Sequence, residues 1–209
     1  MRISKEHDVR RNEILDKAAG LFEERGYNNT TVNDILREVN IAKGTFYYYF
    51  KSKEEVLDAI IDRYLEIALE MAEAVKNRAE LSPAEKLLQV IIGLRMGSPK
   101  SEVIQELHKP ENALMHQKSI TGIVMGLTPI MKDIVQEGIE AGDFATPFPE
   151  QTIQIMLAAA FTLTDESMFS FSQEEQQRLI QALFYSLETL LGAKKGRFTS
   201  GLQELTERM

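Results

Sequence analysis

Lys43, Thr45, Tyr47, Tyr48 and Tyr49, with Lys51 and Lys53 just beyond, crowd hydroxyl and ammonium donors into one short stretch of the chain. A tyrosine hydroxyl or a lysine ammonium donates to a phosphate oxygen, and a tyrosine ring packs on a sugar or a thymine methyl. The chemistry on offer is therefore recognition of a polyanion rather than the making or breaking of bonds. Three consecutive tyrosines would be a poor solvated surface, so they ask for a partner. Thr31 and Asn33, slightly upstream, join the same candidate set, and Gly44 beside Thr45 lets the backbone approach a duplex closely.

Two short helices have to position these groups. Thr31 followed by Asp34 is a helix-start signal, with a hydroxyl to accept an orphan amide and an acid in the positive first turn. Ile35, Leu36 and Val39 then recur at helical spacing and give one apolar face. Asn40 stands where the chain must turn, and asparagine enters the left-handed region at low cost. Ile41 can plug the corner, and from Ala42 the chain reads as helical again, with Phe46 and Phe50 four apart to anchor it inward. Two helices, a tight turn and a donor-rich second helix are what a helix-turn-helix over residues 31–50 needs to enter a DNA major groove. That Tyr47, Tyr48 and Tyr49 merely pad a helical core is the competing reading.

The segment resembles the DNA-binding module of the TetR family of bacterial transcriptional regulators. The resemblance runs from Thr31 through Asp34-Ile35-Leu36, Val39-Asn40-Ile41 and Lys43-Gly44-Thr45-Phe46-Tyr47-Tyr48-Tyr49-Phe50 to Lys51-Ser52-Lys53-Glu54-Glu55-Val56-Leu57. Upstream, Ile14 to Tyr27 is similar to the family's first helix with its Gly-Tyr stop, and Glu137 to Phe144 is similar to a common ending of its long effector-domain helix. Asn40 replaces the usual turn glycine and Tyr49 a frequent histidine. The resemblance implies an all-α protein: a three-helix DNA-binding module, residues 1–65, joined by a long helix to a helical effector-binding and dimerisation domain, residues 66–209. It implies a ligand-responsive regulator, read as a repressor, bound to a palindromic double-stranded DNA operator as a homodimer. Activation or co-ligand dependence stays open, and a helical interaction protein without a DNA role is the rival.

Composition agrees with that outline. The 209 residues can bury a sizeable core, and the absence of cysteine removes disulfides, thiolate catalysis and zinc-cysteine sites. The charged N-terminus lacks an apolar signal core, and the longest apolar run, Ile155 to Phe161, falls far short of the ~20 residues that span a bilayer. A cytoplasmic protein without membrane contact is the simplest reading. The net charge of −8 divides unevenly. Residues 1–53 hold ten Lys/Arg against eight Asp/Glu, a mildly basic module beside an acidic remainder. Such a module needs dimerisation and exact contacts in addition to charge.

Helical punctuation gives about nine helices in all. The first is expected to start near Asp8 and close at Gly26, with Arg10, Arg11 and Asn12 either at the DNA backbone or solvated. Ser52 to Glu55 reads as a capping box opening a long helix towards Asn77, with Lys53 placed to help hold a phosphate. Further helices are expected from Ser82-Pro83 to Met96, from Ser101 to Lys109, and from Glu111 to Ala141 with a kink or break at Pro129. After a loop over residues 142–149, helices over Pro149 to Asp165 and Gln173 to Ala193 complete the body, and the tail beyond Gly192 has no assigned role.

The family's effector pocket is expected among Met96, His116, Ile120, Met125, Met156 and Phe161, since thioethers and aromatics suit an adaptable apolar cavity around a small effector. They suit an ordinary core as well. The dimer interface is expected on the last two helices, through Ala159, Leu183, Phe184, Leu187, Leu190 and Leu191, with simple intrachain core as the alternative. The chain has three histidines and no Gly-rich phosphate loop, nucleophile elbow or His-Glu-x-x-His pattern, so no catalytic residue, metal or cofactor is expected.

Overall fold

The computed structural model describes residues 2–96, 108–109 and 112–198, with the side chains of 2–6, 95 and 96 left aside. Their regular structure is helical: α1 (Arg2–Arg25), α2 (Val32–Val39), α3 (Lys43–Tyr49), α4 (Lys53–Lys76), α5 (Pro83–Met96), α6 (Ala113–Glu140), α7 (Pro149–Leu163) and α8 (Gln173–Leu191). The helix expected over Ser101 to Lys109 lies outside the described residues except for its last two, which form a turn and a bend. No helix among the described residues is long and apolar enough to cross a membrane.

The chain divides into two compact units, Met1–Glu66 with Ser98–Ser119 and Ile67–Gly97 with Ile120–Met209. In the first, Ile14, Leu15, Ala18 and Phe22 of α1 meet Ile35 and Val39 of α2, Phe46 of α3, Phe50, and Val56, Leu57 and Ile60 of α4 in one core. Helix α1 begins six residues before the expected Asp8, because nothing between Arg2 and Asp8 breaks a helix. Its end is fixed by Gly26, whose φ of 80° takes the left-handed turn that leads to Tyr27.

The second unit packs Leu87 and Leu88 of α5, Leu127, Met131, Ile134 and Val135 of α6, Ile153 and Leu157 of α7, and Phe184, Leu187 and Leu191 of α8. Helix α6 does not break at Pro129 and runs 28 residues through it. The carbonyl that the proline leaves without an amide partner is that of Met125, one turn earlier, and both residues are exposed. Water can satisfy that oxygen, while the opposite face keeps the helix together by packing. At the end of α6, Gly142 is left-handed at φ 77°, and the amides of Asp143 and Phe144 both donate to the carbonyl of Gly138. That return places the Phe144 ring against Gly138, where an added Cβ would lie 2.2 Å from it.

Residues 193–198, which carried no expectation, are built into the fold. Phe198 is fully buried and stacks with Phe144 at 6.2 Å. Glu188, buried on α8, accepts the backbone N–H groups of Gly196 at 3.0 Å and Phe198 at 2.8 Å. A buried carboxylate is tolerable when amides compensate it, and here two do.

Candidate nucleic-acid interface

Helix α2 starts with a complete capping box. The Thr31 hydroxyl accepts from the Asp34 amide at 3.2 Å, and the Asp34 carboxylate accepts from the Thr31 amide at 2.9 Å. The Thr31 hydroxyl, its amide and the nearby Arg37 guanidinium together hold the Asp34 carboxyl below its ordinary range. The helix ends at Asn40, with φ 57° and ψ 52°, the only non-glycine residue with positive φ among those described. The Ile41 amide donates to the Leu36 carbonyl at 3.1 Å and the Asn40 amide to that of Arg37 at 3.3 Å, which is the hydrogen-bond pattern of a Schellman turn. Leu36 and Ile41, the apolar pair such a turn brings together, both pack against the core of this unit.

This turn delivers α3 with a fixed orientation. Phe46 and Phe50 are buried, so the rest of the short helix is forced outwards. Lys43 and Gly44 are exposed, Tyr47 is 47 % and Tyr48 72 % exposed, while Thr45 and Tyr49 are half-buried. Tyr49 packs against the core as well, so the padding alternative holds in part for it and not for its two neighbours. The Lys43 ammonium lies 5.9 Å from the Tyr47 ring, and the Arg11 guanidinium of α1 lies 5.3 Å over Phe50. An alanine Cβ at Gly44 would meet nothing within 4 Å, so no neighbour within the chain requires the missing side chain. Thr31 and Asn33 are exposed at the start of α2, beside the α3 surface in sequence, and Lys51 is exposed immediately after it.

Lys53 is differently placed. Its ammonium donates to the carbonyls of Tyr27 at 2.7 Å and Thr30 at 3.0 Å, and sits 3.9 Å over the Tyr27 ring. It ties the start of α4 to the loop before α2, so its charge is turned towards the fold. The capping at this helix start is also shared out more widely than a simple box. Ser52 accepts from the Glu55 amide, but Glu55 reaches back to the Lys51 amide, and hydrogen bonding from Ser52 holds Glu54 below its ordinary range.

One contact had no signal in the sequence. His7 of α1 lays its ring 4.7 Å from that of Tyr49 and 5.6 Å from that of Tyr48.

The residues expected around an effector are spread over both units. His116 is buried in the first, where its ring meets His108 at 4.9 Å. In the second, Met156 and Phe161 pack on the core and Ile120 is half-buried. Met125 does not line any interior surface: it is 62 % exposed, on the Pro129 face of α6. The side chain of Met96 lies outside the described residues. Of the residues expected at a dimer interface, Phe184, Leu187 and Leu191 are spent on the core of their own unit. Leu190 is exposed, and Ala159 and Leu183 are half-buried.

A helix-turn-helix on a three-helix core, with a donor-rich second helix facing out, defines a DNA-binding module. Residues 14–60 match the profile described as bacterial regulatory proteins, tetR family, and residues 96–185 match that of a tetracyclin repressor-like C-terminal domain. The chain belongs to the tetR family and is a DNA-binding transcriptional regulator, as its relatives are, and not an enzyme. It is 28 % identical over 183 residues to the Fatty acid metabolism regulator protein of Bacillus subtilis (strain 168), covering 86 % of this chain and 92 % of that one. It is 36 % identical over 99 residues to the HTH-type transcriptional repressor KstR2 of Mycolicibacterium smegmatis, covering 47 % of this chain and 45 % of that protein. Among solved structures, a transcriptional regulator of the TetR/AcrR family from Thermobifida fusca superposes with a TM-score of 0.60 at 25 % identity, over 86 % of this chain and 97 % of that one. RolR, crystallised with resorcinol, shares the fold with a TM-score of 0.65 at 18 % identity, over 96 % and 94 % of the two chains.

Proposed function

We propose that this regulator is a cytoplasmic repressor that binds a palindromic operator as a homodimer and is released by a small, largely apolar effector. The observation that carries the DNA part is the outward face of α3, where Tyr47, Tyr48, Lys43 and the open flank of Gly44 are presented by buried Phe46 and Phe50. Thr45, Tyr49, Lys51, Thr31 and Asn33 extend this contact set. Lys53 belongs to it through the amide-rich start of α4, with its ammonium committed to the Tyr27 and Thr30 carbonyls. Two copies would place their α3 helices in successive major grooves, about 34–36 Å or a multiple of that apart.

The dimer surface is carried by the outer faces of α7 and α8. Ile155, Tyr185 and Leu190 are exposed there beside the small residues Ala158 and Ala159, which permit close helix approach. For the effector, half-buried Met156, Phe161 and Ile120 in the second unit are the apolar side chains on offer. The full-length alignment with a fatty acid metabolism regulator supports fatty acid metabolism as the controlled process.

Selection of random duplex DNA by the purified protein at stated salt tests the reading. A palindromic motif is the expected result, and loss of its binding in K43A/Y48A, with native circular dichroism and native dimerisation retained, assigns the contact to α3. Lysine 53 is left intact in that variant because its removal would disturb the fold. Operator binding by K43A/Y48A at native strength would refute the contact assignment, and enrichment of no motif would refute the sequence-specific reader.

A further inference from the structure

His7 serves neither the core of the first unit nor the contact set proposed above. Its side chain is 39 % exposed, so it stands at the rim of the module rather than inside it. Tyr49 and Tyr48 of α3 hold the imidazole edge at ring distances of 4.7 and 5.6 Å. It therefore shares the exposed edge of Tyr48, which is more exposed than Tyr47. It also lies against Tyr49, the position at which this sequence departs from the histidine of the family pattern, so an imidazole reaches that edge from another helix.

Among the described residues, the charged groups near it on α1 are Asp8, Arg11 and Arg10, the last paired with Glu13. On its own helix, Asp8 Oδ1 lies 3.4 Å from His7 Nδ1, and Arg11, one turn on, is engaged over Phe50. From α3 the groups facing it among the described residues are the phenols of Tyr48 and Tyr49. A phosphate brought to this edge by α3 would meet a ring able to donate from either nitrogen when protonated, and a cation where the neutral ring carries no charge.

We infer that His7 is a further phosphate-contacting residue of the recognition surface, and that its protonation makes DNA affinity rise as pH falls. The inference rests on the reading of α3 as the DNA-facing helix. Its physical basis is linkage. A phosphate within contact distance stabilises a protonated imidazole over a neutral one, so binding and proton uptake are linked. If the phosphate holds that proton by about one pKa unit, affinity changes roughly tenfold per subunit across the titration. The same cation releases a counterion, which steepens the salt dependence by about 0.9 in log–log slope per contact at low pH.

The experiment uses the full chain and the duplex recovered by the selection above, read by fluorescence anisotropy at constant ionic strength from about pH 5.5 to 8. The native protein should gain roughly tenfold or more towards low pH. H7Q should lose most of that gain. H7F keeps a ring against Tyr48 and Tyr49 but has no nitrogen, so it should behave as H7Q does if the contact is polar. Parallel pH profiles in native, H7Q and H7F protein would overturn the inference and leave the DNA-binding reading standing. Failure of the native protein to bind any duplex at any pH would remove both.

Discussion

Asn40 carries a conformation that few side chains accept, and its replacement gives a graded forecast. At φ 57° and ψ 52° it closes α2 and sets the direction of α3. A residue with a Cβ that lacks asparagine's tolerance pays roughly 1–2 kcal/mol there. N40A should therefore lose about 1 kcal/mol of stability, and N40V about 2 kcal/mol because β-branching adds strain at positive φ. N40G should stay within ~0.5 kcal/mol of the native protein, since its ease in the left-handed region is offset by a freer unfolded chain. The Schellman hydrogen bonds from Ile41 and Asn40 involve only backbone atoms, so every variant can still form them. The chain has six tyrosines and no tryptophan, and Tyr27, Tyr47, Tyr48, Tyr49 and Tyr64 lie in the first unit with only Tyr185 outside it. Tyrosine fluorescence in a urea titration thus reports mainly on the module that holds the turn. With a urea slope of ~1–3 kcal/mol/M, a 1 kcal/mol loss lowers the midpoint by about 0.3–1 M. The expected order of midpoints is Gly close to Asn, then Ala, then Val. An N40V midpoint equal to the native one, or an N40G midpoint below that of N40A, would refute the conformational argument.

Four further substitutions test other positions. K53M keeps the lysine stem but removes the bonds to the Tyr27 and Thr30 carbonyls and the cation over the Tyr27 ring; a loss of about 1–3 kcal/mol in the same urea assay is expected. T31A removes the α2 cap at a cost of about 1 kcal/mol. Because the Asp34 pKa is lowered in the folded state by Thr31, the associated stability is present above the unfolded carboxyl pKa and is lost as pH falls through the lower folded value. The native protein should therefore lose stability more steeply than T31A on acidification below about pH 4, as read by circular dichroism. G138A drives a methyl group to 2.2 Å from the Phe144 ring, itself buried beside Phe198, and should cost about 1–3 kcal/mol in a thermal melt. G93A, in a helix and with nothing within 4 Å of its added Cβ, should instead stabilise by about 0.5–1 kcal/mol, and the opposite signs are the check.

Local stereochemistry was the legible part of this chain. The Thr31 cap, the left-handed Asn40, the inward pair Phe46 and Phe50, and the helix starts at Pro83, Pro149 and Gln173 all follow from rules that act over four or five residues. Where a local rule was overridden, packing or solvent did it. Pro129 left α6 unbroken on a face where both it and Met125, whose carbonyl loses its amide partner, are exposed, and α1 continued back past Asp8 because no residue stopped it. Residues 193–198 read in the sequence as a charged stretch, whereas the structure anchors them through two amides on the buried carboxylate of Glu188 and through Phe198 in the core. That arrangement depends on residues eight and ten positions apart meeting across a turn, which periodicity does not encode.

The candidate site divides along the same line. Which side chains could meet a phosphate was readable from type and spacing; where their charges point was not. Lys43, Lys51 and Lys53 look equivalent in the sequence, yet the first two are exposed and the third is bonded to the loop carbonyls of Tyr27 and Thr30. His7, outside every motif, reaches the tyrosines of α3 from another helix. The stripe on α8 shows the same limit in apolar form. Its period names Phe184, Leu187, Leu190 and Leu191 as one face, but a helical stripe does not say what covers it. Three of them are consumed within their own unit, and Leu190 is left exposed with Tyr185 and with Ile155 of α7. If those exposed side chains are the dimer surface, then Y185E/L190E should yield a folded monomer that binds the selected palindrome far more weakly, while F184A should unfold the second unit before it affects association. Size-exclusion chromatography with light scattering separates the two, and a stable dimer from Y185E/L190E would move the interface elsewhere.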